Sequence, residues 1–222
     1  MISIIVPTHN YGNVLGCCLK SILKNNRKLI QEIIIVDDAS KDNTDQVIKK
    51  FKKNKIIRFY KCKFNNLAKT MNFAIKKTKS DFICKIDPDD EIKKNFLQLM
   101  NNFIKKKDFD FVFPDFEVFE TIKKKKYIKS QKSNIFLNLI FYPHGSGCIF
   151  KKNIWKKVGG YNEKNYYQDD YDFWLKINKI KDIKIGHLQK PIYIYKKHKN
   201  NMSKNMLKKN FTKAKIFLKN II

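Results

Sequence analysis

Three carboxylates stand within the four residues 87–90, where Asp87, Asp89 and Asp90 surround a proline. Carboxylates this close repel one another, so a fold tolerates them together only with a bound cation or good solvation. Their hard oxygen atoms select Mg²⁺ or Mn²⁺, and such an ion can bridge a diphosphate and neutralise it as it departs. Taken alone, this acidic run (residues 87–90) is equally well interpreted as a turn that caps a helix beginning at Ile92, because aspartate favours helix N-termini.

Two further polar clusters also follow apolar runs that are typical of buried strands. Residues 8–10 follow the run at 2–6, and residues 37–40 follow the run at 32–36. The acidic run itself follows the predicted strand at 81–86. In open α/β sheets, ligands bind beyond the carboxyl ends of the strands. The sequence therefore predicts that the three clusters meet at one site.

Strand and helix patterns alternate along the first half of the chain, which is typical of a mostly parallel sheet covered by helices. Predicted strands cover residues 2–6, 32–36, 56–60 and 81–86, and predicted helices cover 11–24, 67–77 and 92–104 and pass through 47–51. The second half is less regular, with predicted strands at 109–119 and 192–195, a short helix at 135–141, a loop at 143–147 and a helix start at 168–176. We expect an α/β fold in a single domain.

Charge and composition limit the classes of function. The 222 residues carry a formal net charge of +28, which is typical of proteins that bind nucleic acid or an anionic membrane. Arg27 and Arg58, however, are the only arginines among 48 basic residues, whereas nucleic-acid readers favour arginine for its bidentate fork. We expect solvated lysines with general attraction for anions or for a membrane surface, and no nucleic acid as a partner.

Cysteine usage and hydropathy indicate a cellular compartment. The five cysteines show no CxxC spacing, so we expect reduced cysteines that lie mostly in the core. No apolar run approaches the roughly 20 residues that cross a bilayer, and the chain begins with a predicted strand instead of a signal peptide. These features predict a cytoplasmic protein, peripheral at most on the inner face of the cell membrane.

Five motifs in order along the chain resemble those of the inverting family 2 glycosyltransferases, which have the GT-A fold. They are residues 3–10, residues 32–44, the acidic run, residues 159–161 with 169–176, and residues 197–203. The resemblance implies a Rossmann-like GT-A domain over residues 1–202, with a nucleotide-sugar-binding half at 1–105 and an acceptor-side half at 106–202. Residues 203–222 are left as a basic amphipathic helix, which either packs on the domain or lies on anionic lipid.

The resemblance also implies a donor site and a divalent metal. The implied donor-binding residues are Pro7, Thr8, His9, Asn10, Asp37, Asp38, Ser40, Lys69, Asp87 and Asp89. Mn²⁺ or Mg²⁺ would be held by Asp89, Asp90 and His198. The family often has tyrosine or phenylalanine at the place of His9, which then stacks on the base. A histidine after a strand is also typical of an ordinary surface or core residue, and this alternative stays open for His198.

Asp170 is the implied general base, with Asp169 beside it where the family usually has glutamate. Inverting transfer needs a carboxylate that takes the proton of the acceptor hydroxyl on the side opposite the departing diphosphate, and the transition state should have oxocarbenium character. Acidic residues here also fit the first turn of a helix. His144 and Trp174 are candidate acceptor contacts, although Trp174 fits a helix core equally well.

The implied reaction moves a sugar from a nucleoside diphosphate donor, with UDP-sugars favoured, to a hydroxyl of a glycan or lipid-linked acceptor. Bacterial capsule, lipooligosaccharide or another surface polysaccharide is the implied product. One alternative is a catalytically inactive binding module with the same fold, and another is a basic nucleic-acid-binding protein. A sugar nucleotidyltransferase would need a glycine-rich loop after the first strand, which residues 7–10 do not supply.

Overall fold

A computed structural model describes residues 1–131, 142–165, 168–199, 201, 212–213 and 215–216. The strands in these residues are β1 (Ile2–Thr8), β2 (Ile30–Asp38), β3 (Ile57–Cys62), β4 (Phe82–Lys85), β5 (Glu91–Ile92), β6 (Phe111–Glu120), β7 (Lys125–Lys129), β8 (Ile149–Lys151) and β9 (Ile185–Lys197). The α-helices are α1 (Gly12–Leu23), α2 (Thr44–Lys49), α3 (Leu67–Lys77), α4 (Phe96–Lys107), α5 (Lys152–Lys157) and α6 (Asp169–Asn178), and a 3-10 helix covers Arg27–Leu29.

The strands form one mixed sheet in the order β3-β2-β1-β4-β8-β6-β9-β5, with β7 paired to β6. Strands β3, β2, β1 and β4 are parallel to their neighbours in this order, as the alternation in the first half predicts. The second half makes the sheet mixed. β8 runs antiparallel to both β4 and β6, β5 pairs antiparallel with β9, and β7 pairs antiparallel with β6. The predicted α/β class, a central sheet flanked by helices, is confirmed.

Both faces of the sheet are covered, which explains the unbroken apolar composition of its central strands. Every residue of β1 is buried. Ile4 packs in a cluster with residues of α1 and α4 on one face, and Ile5 packs in a second cluster with residues of α3 and α6 on the other. Ser3 and Glu32 pair with each other near the amino ends of β1 and β2, and the polar residues at the carboxyl ends of these strands lie at the candidate site.

The acidic run leads into a short strand, not directly into a helix. Glu91 and Ile92 pair with Ile194 and Tyr193 of β9, and α4 begins only at Phe96. The predicted helix start at residue 92 is therefore wrong, because pairing with a distant strand outweighs local helix propensity. The interpretation of the acidic run as the cap of that helix fails with it. The predicted strand 192–195 is part of the longer β9.

Two features of the sequence were used to predict the cellular compartment: the cysteines and the lack of a long apolar run. All five cysteines carry free thiols, and Cys18, Cys84 and Cys148 are buried, which confirms the prediction of reduced cysteines mostly in the core. None of the helices within the described ranges is long and apolar enough to cross a membrane.

Part of the predicted tail helix contacts the domain. Residues 212–213 and 215–216 are helical, and Ile216 is buried in the same cluster as Trp174. The Lys213 ammonium lies 4.9 Å from the centre of the Tyr142 ring. These contacts favour a helix that packs on the domain over one that lies on lipid. The rest of 203–222 and the predicted helix at 135–141 lie outside the described residues.

Candidate active site

The polar clusters share the carboxyl edge of the parallel strands, as predicted. β1 ends at Thr8 and β2 at Asp38, and their register pairs Thr8 with Asp37. β4 ends at Lys85, directly before the acidic run. The polar residues at the ends of β1, β2 and β4 therefore lie in one region of the molecule.

Hydrogen bonds join the loop after β1 to the loop after β2. The Asn10 N–H donates to Ser40 Oγ at 2.8 Å, and the Lys41 N–H donates to Asn10 Oδ1 at 2.7 Å. The His9 ring nitrogen Nδ1 lies 2.5 Å from the Asp38 carbonyl oxygen. The two loops therefore form one connected unit, and His9 is held in it by a backbone contact.

Asp38 is buried, and its carboxylate organises the loop that precedes α3. Oδ1 accepts the N–H groups of Phe64 and Asn65 at 2.6 and 2.9 Å. Oδ2 accepts the Asn66 N–H at 3.0 Å and the Thr70 hydroxyl at 2.9 Å. Burial alone would raise the pKa of Asp38, but these hydrogen bonds lower it below its ordinary value. The side chain therefore fixes a loop beside the site and has little capacity left for a ligand.

Thr8 is the predicted donor-binding residue with the clearest sign of an unfilled contact. It is 3% exposed, and its buried Oγ1 has no hydrogen-bond partner among the described residues. A buried hydroxyl normally finds a partner, so Thr8 is well suited to contact a bound ligand. Pro7 is buried within β1, Asp37 accepts the Ser40 N–H at 3.0 Å, and Lys69 is exposed in the first turn of α3.

Asp87 is held from two directions. Its N–H donates to Ser146 Oγ at 2.8 Å, and its carboxylate Oδ1 lies 3.0 Å from Lys85 Nζ. The Asp90 N–H closes the turn by donating to the Asp87 carbonyl oxygen at 3.1 Å. The Lys85 side chain is 7% exposed, so water screens this ion pair only weakly. Sequence reasoning missed Lys85, although a single charge in an apolar strand directly before the acidic run was a usable signal.

Asp89 and His198 come together, as the resemblance implies. His198 Nε2 lies 2.8 Å from Asp89 Oδ2, and the Asn201 amide donates to the same oxygen at 3.3 Å. The His198 N–H donates to Asn201 Oδ1 at 2.5 Å, which ties Asn201 to His198. Burial, followed by the charge of Asp87, raises the pKa of Asp89, and His198 opposes that rise.

Asp90 anchors the acidic run to β9. It is 1% exposed, and it accepts the Tyr193 hydroxyl at 2.6 Å and the Lys196 N–H at 2.8 Å. The Tyr193 hydroxyl also lies 2.6 Å from Ser146 Oγ, so one network joins the run, β9 and the loop before β8. Burial, followed by the charges of the neighbouring aspartates, raises the pKa of Asp90 well above its ordinary value. Because both Asp90 oxygens already accept hydrogen bonds, Asp89 is better placed to hold a metal.

The donor set at the acidic run fits a divalent cation. Asp89 supplies carboxylate oxygen and His198 supplies imidazole nitrogen, ligands that suit Mn²⁺, and a cation would offset the repulsion between Asp87 and Asp89. Within the part of the chain that the structure describes, no group of three or more His, Cys, Asp or Glu side chains converges as a metal site. Mg²⁺ bound with a nucleotide usually takes only one or two protein carboxylates and completes its shell with phosphate oxygens and water. Two protein donors are therefore enough for an ion that is shared with a diphosphate.

Helix α6 carries Asp169 and Asp170 in its first turn, where the helix dipole favours negative charge. Asp169 is 8% exposed, and burial, followed by the charge of Asp170, raises its pKa to about 7. Asp170 is half-buried and lines a small, mostly apolar pocket with Gly145, Tyr161 and Trp174. Asp170 is therefore the more accessible member of the pair.

The loop at 143–147 packs directly on Asp170. A Cβ atom on Gly145 would lie 2.6 Å from the Asp170 Cβ and 3.2 Å from its Oδ2, so the close approach requires glycine. The other carboxylate oxygen, Oδ1, accepts the Tyr171 N–H at 2.8 Å. The loop and the helix backbone together fix the direction of this carboxylate.

The two predicted acceptor contacts lie in different surroundings. The half-buried His144 ring meets Phe116 and Tyr195 edge-on, with centroid distances of 5.3 and 5.4 Å. Trp174 is 2% exposed and packs against Phe111 at a centroid distance of 5.6 Å. Trp174 is thus primarily a core residue that floors the pocket, and His144 is the more accessible of the two.

Two tyrosines beside the acidic run were also missed by sequence reasoning. Burial, followed by the charges of Asp89, Asp87 and Asp90, raises the pKa of Tyr11 above its ordinary range, which places Tyr11 close to the run. Its position directly after the predicted loop residues 8–10 was the available signal. The sequence held no such signal for Tyr193, because its contact with Asp90 depends on the pairing of β5 with β9.

One buried cation connects the donor side of the site to α6. Lys85 pairs with Asp87 at 3.0 Å, and its carbonyl oxygen accepts the N–H of Gly147 in the loop that packs on Asp170. The acidic run and the first turn of α6 are therefore connected through Lys85 and this loop. A site of this kind can neutralise an anion on one side and accept a proton on the other.

The mixed sheet, the paired loops after β1 and β2 and the acidic run after β4 define a protein of the GT-A glycosyltransferase class. The chain belongs to glycosyl transferase family 2, whose family model matches residues 3–162.

Three relatives illustrate its similarity to known proteins. The O-antigen biosynthesis glycosyltransferase WbnJ of Escherichia coli is 25% identical over 93% of this chain and 84% of its own length. The poly(ribitol-phosphate) beta-N-acetylglucosaminyltransferase TarP of Staphylococcus aureus is 28% identical over 80% of this chain and 63% of its own length. An uncharacterized glycosyltransferase of Rickettsia typhi is 27% identical over 84% of this chain, which spans 61% of that relative.

Solved structures agree on the fold. The S. aureus TarS 1–349 structure in complex with UDP-GlcNAc has a TM-score of 0.74 at 21% identity, over 90% of this chain and 59% of that one. The mannosyltransferase PcManGT from Pyrobaculum calidifontis, in complex with GDP-Man and Mn²⁺, has a TM-score of 0.73 at 17% identity, over 99% of this chain and 64% of that one. At these identities the likeness establishes the fold alone.

Proposed function

We propose that this chain transfers a sugar from a nucleoside diphosphate sugar, with UDP-sugars favoured, to a hydroxyl of a glycan or lipid-linked acceptor, with inversion at the anomeric carbon. The observation that carries the proposal is that the buried Lys85 ammonium pairs with Asp87 of the donor side at 3.0 Å, while the loop bonded to the Lys85 carbonyl oxygen packs on Asp170 of α6. A carboxylate beside the proposed diphosphate position and a candidate base are thereby joined in one site. Membership of family 2 supports the activity.

On this proposal, the joined loops after β1 and β2 bind the nucleotide. Thr8 contributes a buried hydroxyl that lacks a partner among the described residues, and Asp38 acts through the loop that its carboxylate holds. The other proposed donor contacts are Pro7, His9, Asn10, Asp37, Ser40, Lys69, Asp87 and Asp89. The UDP-GlcNAc complex of TarS supports a UDP-sugar donor, and the GDP-Man complex of PcManGT makes a GDP-sugar the main competitor.

We further propose that Asp89 and His198 hold Mn²⁺ or Mg²⁺, with Asp90 close by and anchoring the acidic run. Such an ion neutralises the charge that develops on a departing diphosphate. The Mn²⁺ in the PcManGT complex supports a divalent ion. The short contact between His198 Nε2 and Asp89 Oδ2, 2.8 Å, means that the two side chains already face one another.

Asp170 is the proposed general base, and Asp169 completes the catalytic pair. Asp170 takes the proton of the acceptor hydroxyl while that oxygen forms its bond to the anomeric carbon. The bond from the anomeric carbon to the diphosphate breaks on the opposite face, so the configuration inverts through an oxocarbenium-like transition state. His144 is the proposed acceptor contact, and Trp174 supports the pocket floor from the core.

The similarity to TarP and WbnJ supports a role in bacterial surface polysaccharide synthesis, such as capsule or lipooligosaccharide. We propose a cytoplasmic protein that lies peripherally on the inner face of the membrane. The net charge of +28 supports attraction to anionic lipid. The hairpin of β6 and β7 adds exposed apolar side chains among lysines, because Ile122 and Ile128 are 65% and 66% exposed.

Transfer of isotope-labelled sugar from UDP- and GDP-sugars, with and without Mn²⁺, tests the proposed function. Metal-stimulated transfer to alkyl glycoside acceptors is expected. An inactive binding module with this fold would gain thermal stability with a nucleotide sugar but transfer nothing. A nucleic-acid-binding protein would show neither response, and it would bind duplex oligonucleotides with strong salt dependence.

A further inference from the structure

Lys85 is a buried cation at the end of an apolar strand. It follows Phe82, Ile83 and Cys84 in β4, and its ammonium lies 3.0 Å from the Asp87 carboxylate. A fold tolerates a buried charge only when the charge is paired. Burial works to lower the pKa of Lys85, but the three carboxylates around it outweigh burial and raise the pKa above its ordinary value. Lys85 is therefore charged at every pH at which the protein would work.

The main chain holds Lys85 independently of its charge. Lys85 pairs with Ile5 of β1, and its carbonyl oxygen accepts the Gly147 N–H at 2.8 Å. The Ser146 hydroxyl binds the Asp87 N–H at 2.8 Å, so the acidic run stays attached to the same loop. Strand, loop and acidic run are thus joined by contacts that do not need the lysine ammonium.

The charge of the Lys85 ammonium acts on the carboxylates of the site. Without the ammonium, the Asp87 carboxylate would lose its partner, and its repulsion from the other carboxylates of the site would no longer be offset. A displaced acidic run would shift the loop that packs on Asp170, and a displaced Asp170 no longer faces the acceptor. Loss of the ammonium should therefore impair the chemical step more than nucleotide binding, which depends chiefly on the loops after β1 and β2.

We propose that Lys85 is a positioning residue for sugar transfer, whose charge holds Asp87 of the donor side against the loop at 143–147, on which Asp170 of the acceptor side packs. This inference rests on the proposed function. It assigns a role to a residue outside the motifs that carry the family resemblance, and it makes charge, not shape, the property required at position 85.

The test compares Lys85→Met, which keeps the unbranched length but removes the charge, with Lys85→Arg, which keeps the charge. Lys151→Met is the matched control, because Lys151 lies on the neighbouring β8 and pairs with Asp108 and Asp110 at 2.9 and 3.0 Å away from the acidic run. Each variant is assayed for kcat and KM of labelled-sugar transfer, for UDP affinity by calorimetry and for thermal unfolding. We expect Lys85→Met to lose about 100-fold in kcat with UDP affinity within about threefold, since general-base catalysis contributes about 10²–10⁴-fold.

Lys85→Arg should recover at least about tenfold of that loss, and Lys151→Met should keep kcat within about twofold of wild type, because distant ion pairs do not couple to the site. The proposal is overturned if Lys85→Met keeps near-normal kcat, or if kcat and UDP affinity fall by the same factor. If Lys85→Met does not fold, the decision rests on Lys85→Arg. The proposal is then overturned if Lys85→Arg folds but is as inactive as Asp170→Asn. Wild-type protein that binds UDP yet transfers no sugar would instead count against the proposed function, which distinguishes the two failures.

Discussion

Replacing Asp38 with asparagine changes a carboxylate that accepts four N–H and O–H hydrogen bonds and a longer one from the Cys62 thiol into an amide. The amide oxygen is best placed where Oδ1 now accepts two backbone N–H groups, and the Thr70 hydroxyl can rotate to accept from the new amide nitrogen. The Asn66 N–H then loses its partner. A buried unsatisfied donor costs about 1–3 kcal/mol and the remaining bonds lose their charge assistance, so we expect Asp38→Asn to lower the free energy of unfolding by about 3 kcal/mol.

The lowered pKa of folded Asp38 makes this difference depend on pH. Because the folded pKa lies below the unfolded value of about 4, the carboxylate stabilises the protein fully above that value and ceases to do so as the pH falls through the folded pKa. Urea unfolding should therefore separate wild type from Asp38→Asn at pH 7 and bring them closer in acid. Asp45→Asn is the control, because Asp45 is a surface carboxylate paired with Lys49 and Lys61, and its loss should barely move the midpoint. Equal midpoints for wild type and Asp38→Asn at pH 7 would refute this reasoning.

Three further substitutions test other parts of the site. Tyr193→Phe removes the hydroxyl that donates to Asp90 at 2.6 Å and should cost about 2 kcal/mol in urea unfolding, since a buried carboxylate loses a donor. His198→Ala removes a proposed metal ligand and should raise the Mn²⁺ concentration for half-maximal transfer at least about tenfold. Gly145→Ala would bring a Cβ to 2.6 Å from the Asp170 Cβ and should lower kcat about 100-fold with UDP affinity unchanged, because small misplacements of a base are that costly.

The chain offers matched controls for two of these changes. His187 pairs with Asp115 at 2.8 Å away from the acidic run, so His187→Ala should leave the Mn²⁺ dependence unaltered, and a shift equal to that of His198→Ala would remove His198 as a ligand. Gly16→Ala adds a Cβ that meets only Val47 at an ordinary 3.7 Å and should keep full kcat. Normal kcat in Gly145→Ala would show that the loop does not set the direction of the Asp170 carboxylate. An unchanged urea midpoint in Tyr193→Phe would show that the Tyr193 hydroxyl adds nothing to the anchoring of the acidic run to β9.

The first half of the fold was predictable because its strands are buried on both faces. Residues 4–6 and 33–36 are unbroken apolar runs, and each lies within an observed strand that continues into the polar residues of the site. The short β5 was not predictable. Its two residues become a strand only because Ile194 and Tyr193 of the distant β9 pair with them, and such pairing leaves no local pattern in the sequence.

The site was predictable as a set of clusters but not as a set of contacts. The acidic run and Asp170 could be singled out from residue type and order. Lys85 was missed, because one lysine among 48 basic residues is a weak signal even at the end of an apolar strand, and its burial depends on which face of β4 meets α6. Asp38 stood among the predicted nucleotide contacts, yet its oxygens bind residues of the loop before α3. Sequence order cannot tell a direct ligand contact from a residue that holds a neighbouring loop.

The measurement that bears most directly on the proposed reaction is transfer of isotope-labelled sugar by wild type and by Asp170→Asn, with the anomeric configuration of the product read by NMR. We expect wild type with Mn²⁺ to convert an α-linked donor such as UDP-GlcNAc into a β-linked product on an alkyl glycoside. Asp170→Asn should bind UDP as tightly as wild type and transfer at least about 100-fold more slowly. An α-linked product, or near-normal transfer by Asp170→Asn, would contradict inversion with Asp170 as the base.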